Sequence, residues 1–336
     1  MMPAMNAAIS GLEAHQTMLD VVSNNLANVD TIGYKGQRTT FVDELSQTLS
    51  PGSGVVGGNS GSNPKQVGLG VEVGSIDNVM STGSVQTTGN PLDIAIQGDG
   101  FLRVANGIPG GGAVPTPGTE QTYPIGAGNQ TNTPQFTRAG NLTINPAGFL
   151  CTQSGQYVVG NATAPRTSVA PPAGSPPGTN PTYTYASATT AGSPSTPTYI
   201  NIPPGSTNVA IGQDGAVTYT DQSPPVAPAL TNPLNGMQVT AGYLTLATFP
   251  NEAGLTRDGG SLWSASQNSG TATIGIPSAA GTGGFGSTLS GSLEMSNVDM
   301  ATEFTNMITA ERGYQANSRV ITVADTMLQT VVQMGT

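Results

Sequence analysis

The chain of 336 residues carries 9 Lys and Arg against 19 Asp and Glu, a net charge of −10, so it lacks the basic footprint that phosphate neutralisation requires and nucleic acid is excluded as a partner. Only 8% of its residues are charged, against about 25% in average soluble proteins, which leaves Ser, Thr, Asn, Gln and exposed backbone to solvate the surface. One cysteine, Cys151, and one histidine, His15, provide neither an internal disulfide nor a His-rich metal site, and no cofactor is expected.

The 46 glycines and 26 prolines suit short strands and many turns. No stretch approaches the roughly 18 apolar residues of a membrane-spanning helix, so no membrane insertion is expected. The N-terminal residues lack the basic, apolar and small-residue pattern of a secretory signal. The low-charge, cysteine-poor make-up nonetheless looks extracellular, which predicts export without cleavage of a signal peptide.

The first element is a helix. Met5, Ala8, Leu12, His15, Leu19, Val22, Leu26 and Val29 are spaced alternately 3 and 4 residues apart, a heptad seam that Gly33 stops. His15 reads as a packed seam residue. Near the end of this helix Asn24, Asn25 and Asn28 either cap and solvate it or, buried, fix its register by demanding a partner.

Beyond a Gly/Ser-rich linker over residues 50–63, period-2 apolar patterns predict strands over Val67–Val79 and Leu92–Val104. Asp99-Gly100 and Asp214-Gly215 are hairpin signals, Asn145-Pro-Ala-Gly148 is a third turn, and Gly242–Phe249 is a further strand. Residues 161–198, rich in Pro, Ala, Thr, Ser and Gly, resemble a loop or outer excursion.

The last element is again a heptad helix, with Met300, Met307, Ala310, Tyr314, Ile321, Ala324, Leu328 and Val331 on its seam, Glu303 and Asn317 as polar interruptions, and Phe304 and Ile308 widening the stripe. Ser296 with Asp299 three residues on suggests a capping box near its start. Both seams lack a cover nearby in sequence. They are expected to pair with each other or with other copies and to order on association; the alternative is two amphipathic helices on one globular core. The candidate self-assembly residues are Met5, Leu12, Leu19, Val22, Asn24, Asn25, Leu26, Asn28 and Val29 with Phe304, Met307, Ile308, Tyr314, Asn317, Ile321, Leu328 and Val331.

Catalytic groupings are scarce. Asp93, Asp99, Asp214, Asp221 and Asp258 mostly sit beside Gly or in turn contexts that favour Asp for its own backbone bonding. The glycines of Gly68–Gly74 have neither dinucleotide nor P-loop spacing, and Cys151 reads as a small hydrophobe.

The string Ser10-Gly-Leu, Val22-Ser-Asn-Asn-Leu-Ala-Asn-Val29 and Thr31-Ile-Gly-Tyr-Lys35 resembles the N-terminal signature of bacterial flagellar rod and hook proteins. Asn90-Pro-Leu-Asp-Ile-Ala-Ile-Gln-Gly-Asp-Gly-Phe101, Phe136-Thr-Arg-Ala-Gly-Asn141, Leu293-Glu-Met-Ser-Asn-Val298 and Arg312-Gly-Tyr-Gln-Ala-Asn317 are similar to that family's other blocks, in the same order. The resemblance implies a mixed fold: a terminal α-helical coiled-coil module (1–33 and 294–336), an all-β discontinuous domain (34–160 and 199–293) and the excursion at 161–198. It also implies a subunit exported by the flagellar type III apparatus that polymerises into a tubular axial structure, its helices lining the channel and its β domains outside. Adjacent rod and hook–filament junction proteins, the hook cap and the export apparatus would be its partners. The hook is the first reading and the distal rod the alternative. A secreted β-rich adhesin or polysaccharide-active protein is the reading from a different class, and it would need paired carboxylates and aromatic platforms.

Overall fold

The computed structural model describes residues 2–52, 54, 63–106, 134–162, 167–169, 182–184, 198–203, 205–220, 238–277 and 284–335. Most of the 50–63 linker and of the 161–198 excursion lies outside the described residues, as does Asp221. The chain divides into two compact units, one of residues 1–30, 35–81 and 297–336 and the other of residues 31–34 and 82–296.

The first unit pairs the two terminal helices, α1 (Met2–Ala27) and α2 (Met300–Met334). Helix α1 ends in the asparagine-rich stretch, where Asn28 Nδ2 donates to the Asn24 carbonyl (2.9 Å) and to Asn24 Oδ1 (2.8 Å). Helix α2 starts one residue after Asp299, which is its N-cap: Oδ1 accepts from the Ala301 amide (3.1 Å) and Oδ2 from the Thr302 hydroxyl (2.7 Å). This corrects the expected capping box, in which Ser296 would be the cap and Asp299 the third helical residue. The free amides of the first turn lie within reach of Asp299 itself, and a carboxylate at this position also meets the positive end of the helix dipole.

The same unit takes in residues 35–81, which the sequence reading assigned to the β domain. They form a long two-stranded ribbon. Gln37–Asp43 pairs antiparallel with Val71–Asn78, shifting register between Thr40 and Phe41, and Ser46–Ser50 pairs with Lys65–Gly68. Between these ladders the Glu44 amide donates to the Gly70 carbonyl (3.0 Å) and the Leu69 amide to the Leu45 carbonyl (3.1 Å), so pairing continues through the junction. The inner half lies against α1: the Val71 amide donates to Ser10 Oγ (3.3 Å), and the His15 and Phe41 rings are 6.0 Å apart. A Cβ on Gly70, whose φ is +154°, would collide with Ser10 Oγ; only glycine lets the ribbon come this close.

Among the described residues, the regular elements of the second unit are strands, with a 3-10 turn at Glu252–Gly254. Its main antiparallel sheet runs, strand by strand, through Thr207–Ile211, Ala216–Thr220, Gln238–Leu244, Tyr157–Ala162, Phe101–Ala105, Gln135–Thr137, Leu262–Ser264 and Thr256–Gly259. Ile94, Leu102, Val104, Leu142, Leu150, Val158, Ile200, Leu244 and Leu246 form a core with almost no solvent exposure. Each such aliphatic side chain contributes about 1.5–3 kcal/mol on burial, so this unit carries its own hydrophobic stabilisation. Phe249 meets Phe136 edge-on, with centroids 4.9 Å apart.

Asp214-Gly215 turns a hairpin as expected: Gly215 has φ +73°, the Ala216 amide donates to Asp214 Oδ1 (3.2 Å), and the flanking strands pair. Asn145–Gly148 does the same between Leu142–Ile144 and Leu150–Thr152. Asp99-Gly100 does not. Ile94–Gln97 pairs with Ser287–Ser290, whereas Phe101–Ala105 joins the main sheet. The dipeptide is a corner between two sheets, where a Cβ on Gly100 would press on the Leu246 side chain (3.3 Å). Within Gly242–Phe249 the expected strand divides into Gln238–Leu244 and Leu246–Thr248, and the intervening Thr245 turns its hydroxyl to the Val159 carbonyl (2.9 Å).

Candidate assembly site

In the first unit α1 and α2 run antiparallel, in a register that three contacts define. Asn25 Nδ2 donates to Glu303 Oε1 (3.0 Å), the His15 ring sits on Gly313, and the Asn317 side chain sits on Gly11. Asn25 is 1% exposed and also holds the ribbon, its Nδ2 donating to the Gln37 carbonyl (2.7 Å) while its Oδ1 accepts from the Gln37 amide (2.9 Å). One primary amide thus imitates a strand partner for Gln37 and reaches across to α2. Of the two readings left open for the asparagines, Asn25 takes the buried register-setting one, and Asn24 and Asn28 take the capping one.

The helix interface is narrow and made of small side chains. Ala8, Gly11, Ala14, Val22 and Asn25 are the most buried residues described on α1, and Ala310 and Ala324 those on α2. The seam residues expected on α1 flank this line: Met5, Leu12, Leu19, Leu26, Asn28 and Val29 are half-buried, Val22 is buried and Asn24 is exposed. On α2, Met307, Asn317 and Ile321 are half-buried, whereas Phe304, Ile308, Tyr314, Leu328 and Val331 are exposed.

The most exposed apolar residues of α2 form two rows. Met300, Phe304 and Ile308 recur at steps of 4 near its start, and Val320, Val323, Met327, Val331 and Met334 at steps of 3 or 4 near its end; the rows flank the line through Ala310 and Ala324 on opposite sides, and each of these residues is at least 45% exposed. The register of the helix pair brings the start of α1 level with Thr326, so the residues from Met327 to Met334 extend past it; Met334 is 83% exposed. Rows of exposed apolar residues like these exceed the singly scattered ones of an ordinary solvated surface. The outer half of the ribbon adds Leu45 (80% exposed) and Leu49 (65% exposed).

The residues weighed for chemistry are otherwise engaged. Asp93 accepts from the Thr88 hydroxyl (2.7 Å) and Asn90 Nδ2 (3.0 Å), and Asp258 accepts from Gln135 Nε2 (3.0 Å) and the Ser264 hydroxyl (3.1 Å). Trp263 is 2% exposed beneath the Arg257 guanidinium (4.9 Å), so it offers no platform to a sugar. Burial lifts the Cys151 thiol to about 11, as suits a packed side chain. Among the described residues no group of three His, Cys, Asp or Glu side chains is placed to hold a metal ion, and no helix is long and apolar enough to cross a membrane.

Three family profiles match the chain: "Flagella basal body rod protein" over residues 5–35, "Flagellar hook protein FlgE/F/G D1 domain" over 127–219 and "Flagellar basal body rod FlgEFG protein C-terminal" over 289–334. The chain is 36% identical over 334 residues to the flagellar basal-body rod protein FlgG of Bacillus subtilis, with 99% of each chain covered. It is 32% identical over 335 residues to FlgG of Caulobacter vibrioides, again with 99% of each covered. It is also 28% identical to the flagellar hook protein FlgE of Borreliella burgdorferi, over 446 aligned positions that span 99% of this chain and all of the relative.

Paired terminal helices and a β-rich central stretch of chain, with full-length likeness to rod and hook proteins, define a structural subunit of the bacterial flagellum. The chain belongs to the family of flagellar basal-body rod and hook proteins.

Proposed function

We propose that this chain polymerises into the axial tube of the flagellum as a rod subunit, with the exposed apolar rows of α2, Met300–Ile308 and Val320–Met334, as the surface that takes neighbouring copies. The observation that carries the reading is the exposure of the apolar rows of α2, which no described part of its own unit covers. A surface that is not self-complementary joins copies head to tail, and such contacts build open helical polymers from one kind of subunit. The candidate seam residues divide between the two roles: Val22, Asn25, Met307, Asn317 and Ile321 hold α1 to α2, and Phe304, Ile308, Leu328 and Val331 meet other copies.

Length supports the rod over the hook. The rod relatives align end to end in 334 or 335 positions, close to the 336 residues of this chain, whereas the hook relative needs 446. The hook remains the second reading, because a hook relative also aligns over 99% of this chain. Export would proceed through the flagellar apparatus with the N-terminus intact, and the neighbours would be the adjoining axial proteins.

Two measurements test this. Removing the chain from Met300 onward abolishes polymer in sedimentation and electron microscopy while the near-ultraviolet spectrum of the β unit persists; a truncated chain that still polymerises overturns the assembly reading. Antibody raised against residues 161–198 labels the straight segment inside the envelope if the chain is a rod subunit, and the curved extracellular segment if it is a hook subunit.

A further inference from the structure

Each terminal helix contains a single glycine, Gly11 in α1 and Gly313 in α2. A glycine inside a helix costs about 1 kcal/mol relative to alanine, so a pair of them in two long helices needs a compensating contact. Each faces a polar side chain of the opposite helix. A Cβ on Gly313 would lie 2.5 Å from His15 Cε1 and Nε2, and a Cβ on Gly11 would lie 2.5 Å from Asn317 Nδ2. The arrangement is reciprocal: glycine and knob are four residues apart on each helix, Gly11 with His15 and Gly313 with Asn317, and the antiparallel register sets each knob into the other helix's gap. His15 Nδ1 is buried without a hydrogen-bond partner, so the imidazole is held here by shape and not by a polar bond.

We propose that this reciprocal pair, Gly11–Asn317 and Gly313–His15, is a register key that commits α1 and α2 to one alignment and thereby sets the axial level at which the exposed apolar residues of α2 are presented. Heptad seams of leucine, valine and methionine tolerate slippage by a whole heptad, because every apolar position then meets another. The key does not. Slipped by seven residues either way, His15 would face Asn306 or Val320 and Gly11 would face Ala310 or Ala324, so the imidazole would meet a Cβ in both cases. The functional consequence rests on the assembly reading above: a pair slipped by one heptad would carry Phe304, Ile308 and Val323 about 10 Å along the axis, away from the level at which neighbours meet them.

The test reads register within one chain. Spin labels are placed at Asp20 and Asp325, both exposed and far apart along the helix pair, in a full-length Cys151→Ala background, and labelled chains are diluted in unlabelled ones so that only intramolecular distances count. The unaltered key gives one narrow distance. Gly313→Leu loses that peak or shifts it by about 10 Å, the length of seven helical residues. The exchange His15→Gly with Gly313→His rebuilds knob and gap with their roles reversed and keeps the peak. Ala8→Leu, which overfills the same interface away from the key, also keeps it. A native peak in Gly313→Leu, or an exchange variant as disturbed as Gly313→Leu, overturns the proposal. Sedimentation of the same samples separates the two ideas, because a chain with the native peak that forms no polymer counts against the assembly reading and leaves the key standing.

Discussion

Arg138 and Glu294, 156 positions apart in the chain, meet at 3.3 Å with both side chains 1% exposed. Arg138 Nη2 also donates to the Gly98 carbonyl (3.0 Å), and Glu294 Oε1 accepts from the Gly83 amide (3.0 Å). Its backbone is engaged as well: the Glu294 carbonyl takes the Gly33 amide at 2.8 Å. The ion pair therefore stitches distant parts of the β unit together. Removing one partner strands a buried charge, a change that costs about 3–5 kcal/mol. Arg138→Met is expected to lose that much in denaturant titration. Arg138→Met with Glu294→Leu is expected to lose less than Arg138→Met alone, because no charge is left unpaired.

Asn25 is the second sensitive position. Asn25→Ala leaves both backbone groups of Gln37 without their side-chain partner and is expected to destabilise the helix–ribbon unit by about 1–3 kcal/mol. Asn25→Asp is expected to be worse at neutral pH, because it sets a carboxylate against Glu303, and to recover part of the loss on acidification. Hydrogen exchange at the Gln37 amide checks both variants.

The Thr302 hydroxyl, followed by the Ala301 amide, holds the Asp299 carboxyl below its ordinary range. A carboxylate with a depressed folded-state value stabilises at pH above its unfolded value, about 3.9, and that stability is lost as pH falls through the folded value. Helix α2 is therefore expected to begin fraying below pH ~4. Asp299→Asn keeps a cap without a titrating group, so the difference between the two proteins in the pH dependence of ellipticity at 222 nm is the quantity to measure.

The Cys151 thiol, raised to about 11 by burial, is almost wholly protonated at neutral pH. Because the thiolate is the reacting form, labelling by a maleimide at pH 7.5 is expected to run at least ~100-fold slower in the native chain than in denaturant. The sign for stability is opposite to that of Asp299. A raised thiol value stabilises below the unfolded value of about 8.5, and this contribution is lost as pH rises towards 11.

The parts of this molecule that were legible in its sequence are those fixed by neighbours. Asp214-Gly215 and Asn145–Gly148 turn their hairpins because the turn residue bonds its own backbone. Asp99-Gly100 carries the same local signal and gives a corner instead, because its flanking strands find partners far along the chain. The helix seams were visible as heptads, but the line of closest approach runs through Gly11, Ala14, Ala310 and Gly313. Such residues add nothing to an apolar periodicity, and the choice of face is made by how near two backbones can come. The ribbon strand Ser46–Ser50 is exposed throughout, so no alternation announced it. Arg138 and Glu294 stand in blocks of the family resemblance, yet nothing local says that they meet.

The amide of Asn25 makes helix and ribbon continuous by a route the covalent chain does not take. Between Ala27 and Gln37 the backbone leaves this unit for residues 31–34 before it returns. A pull on the ribbon at Gln37 reaches α1 through the two hydrogen bonds of one side chain, loaded side by side, without passing through those connecting residues. The joint behaves as a short tie bar between helix and ribbon, one that yields only when both bonds part together.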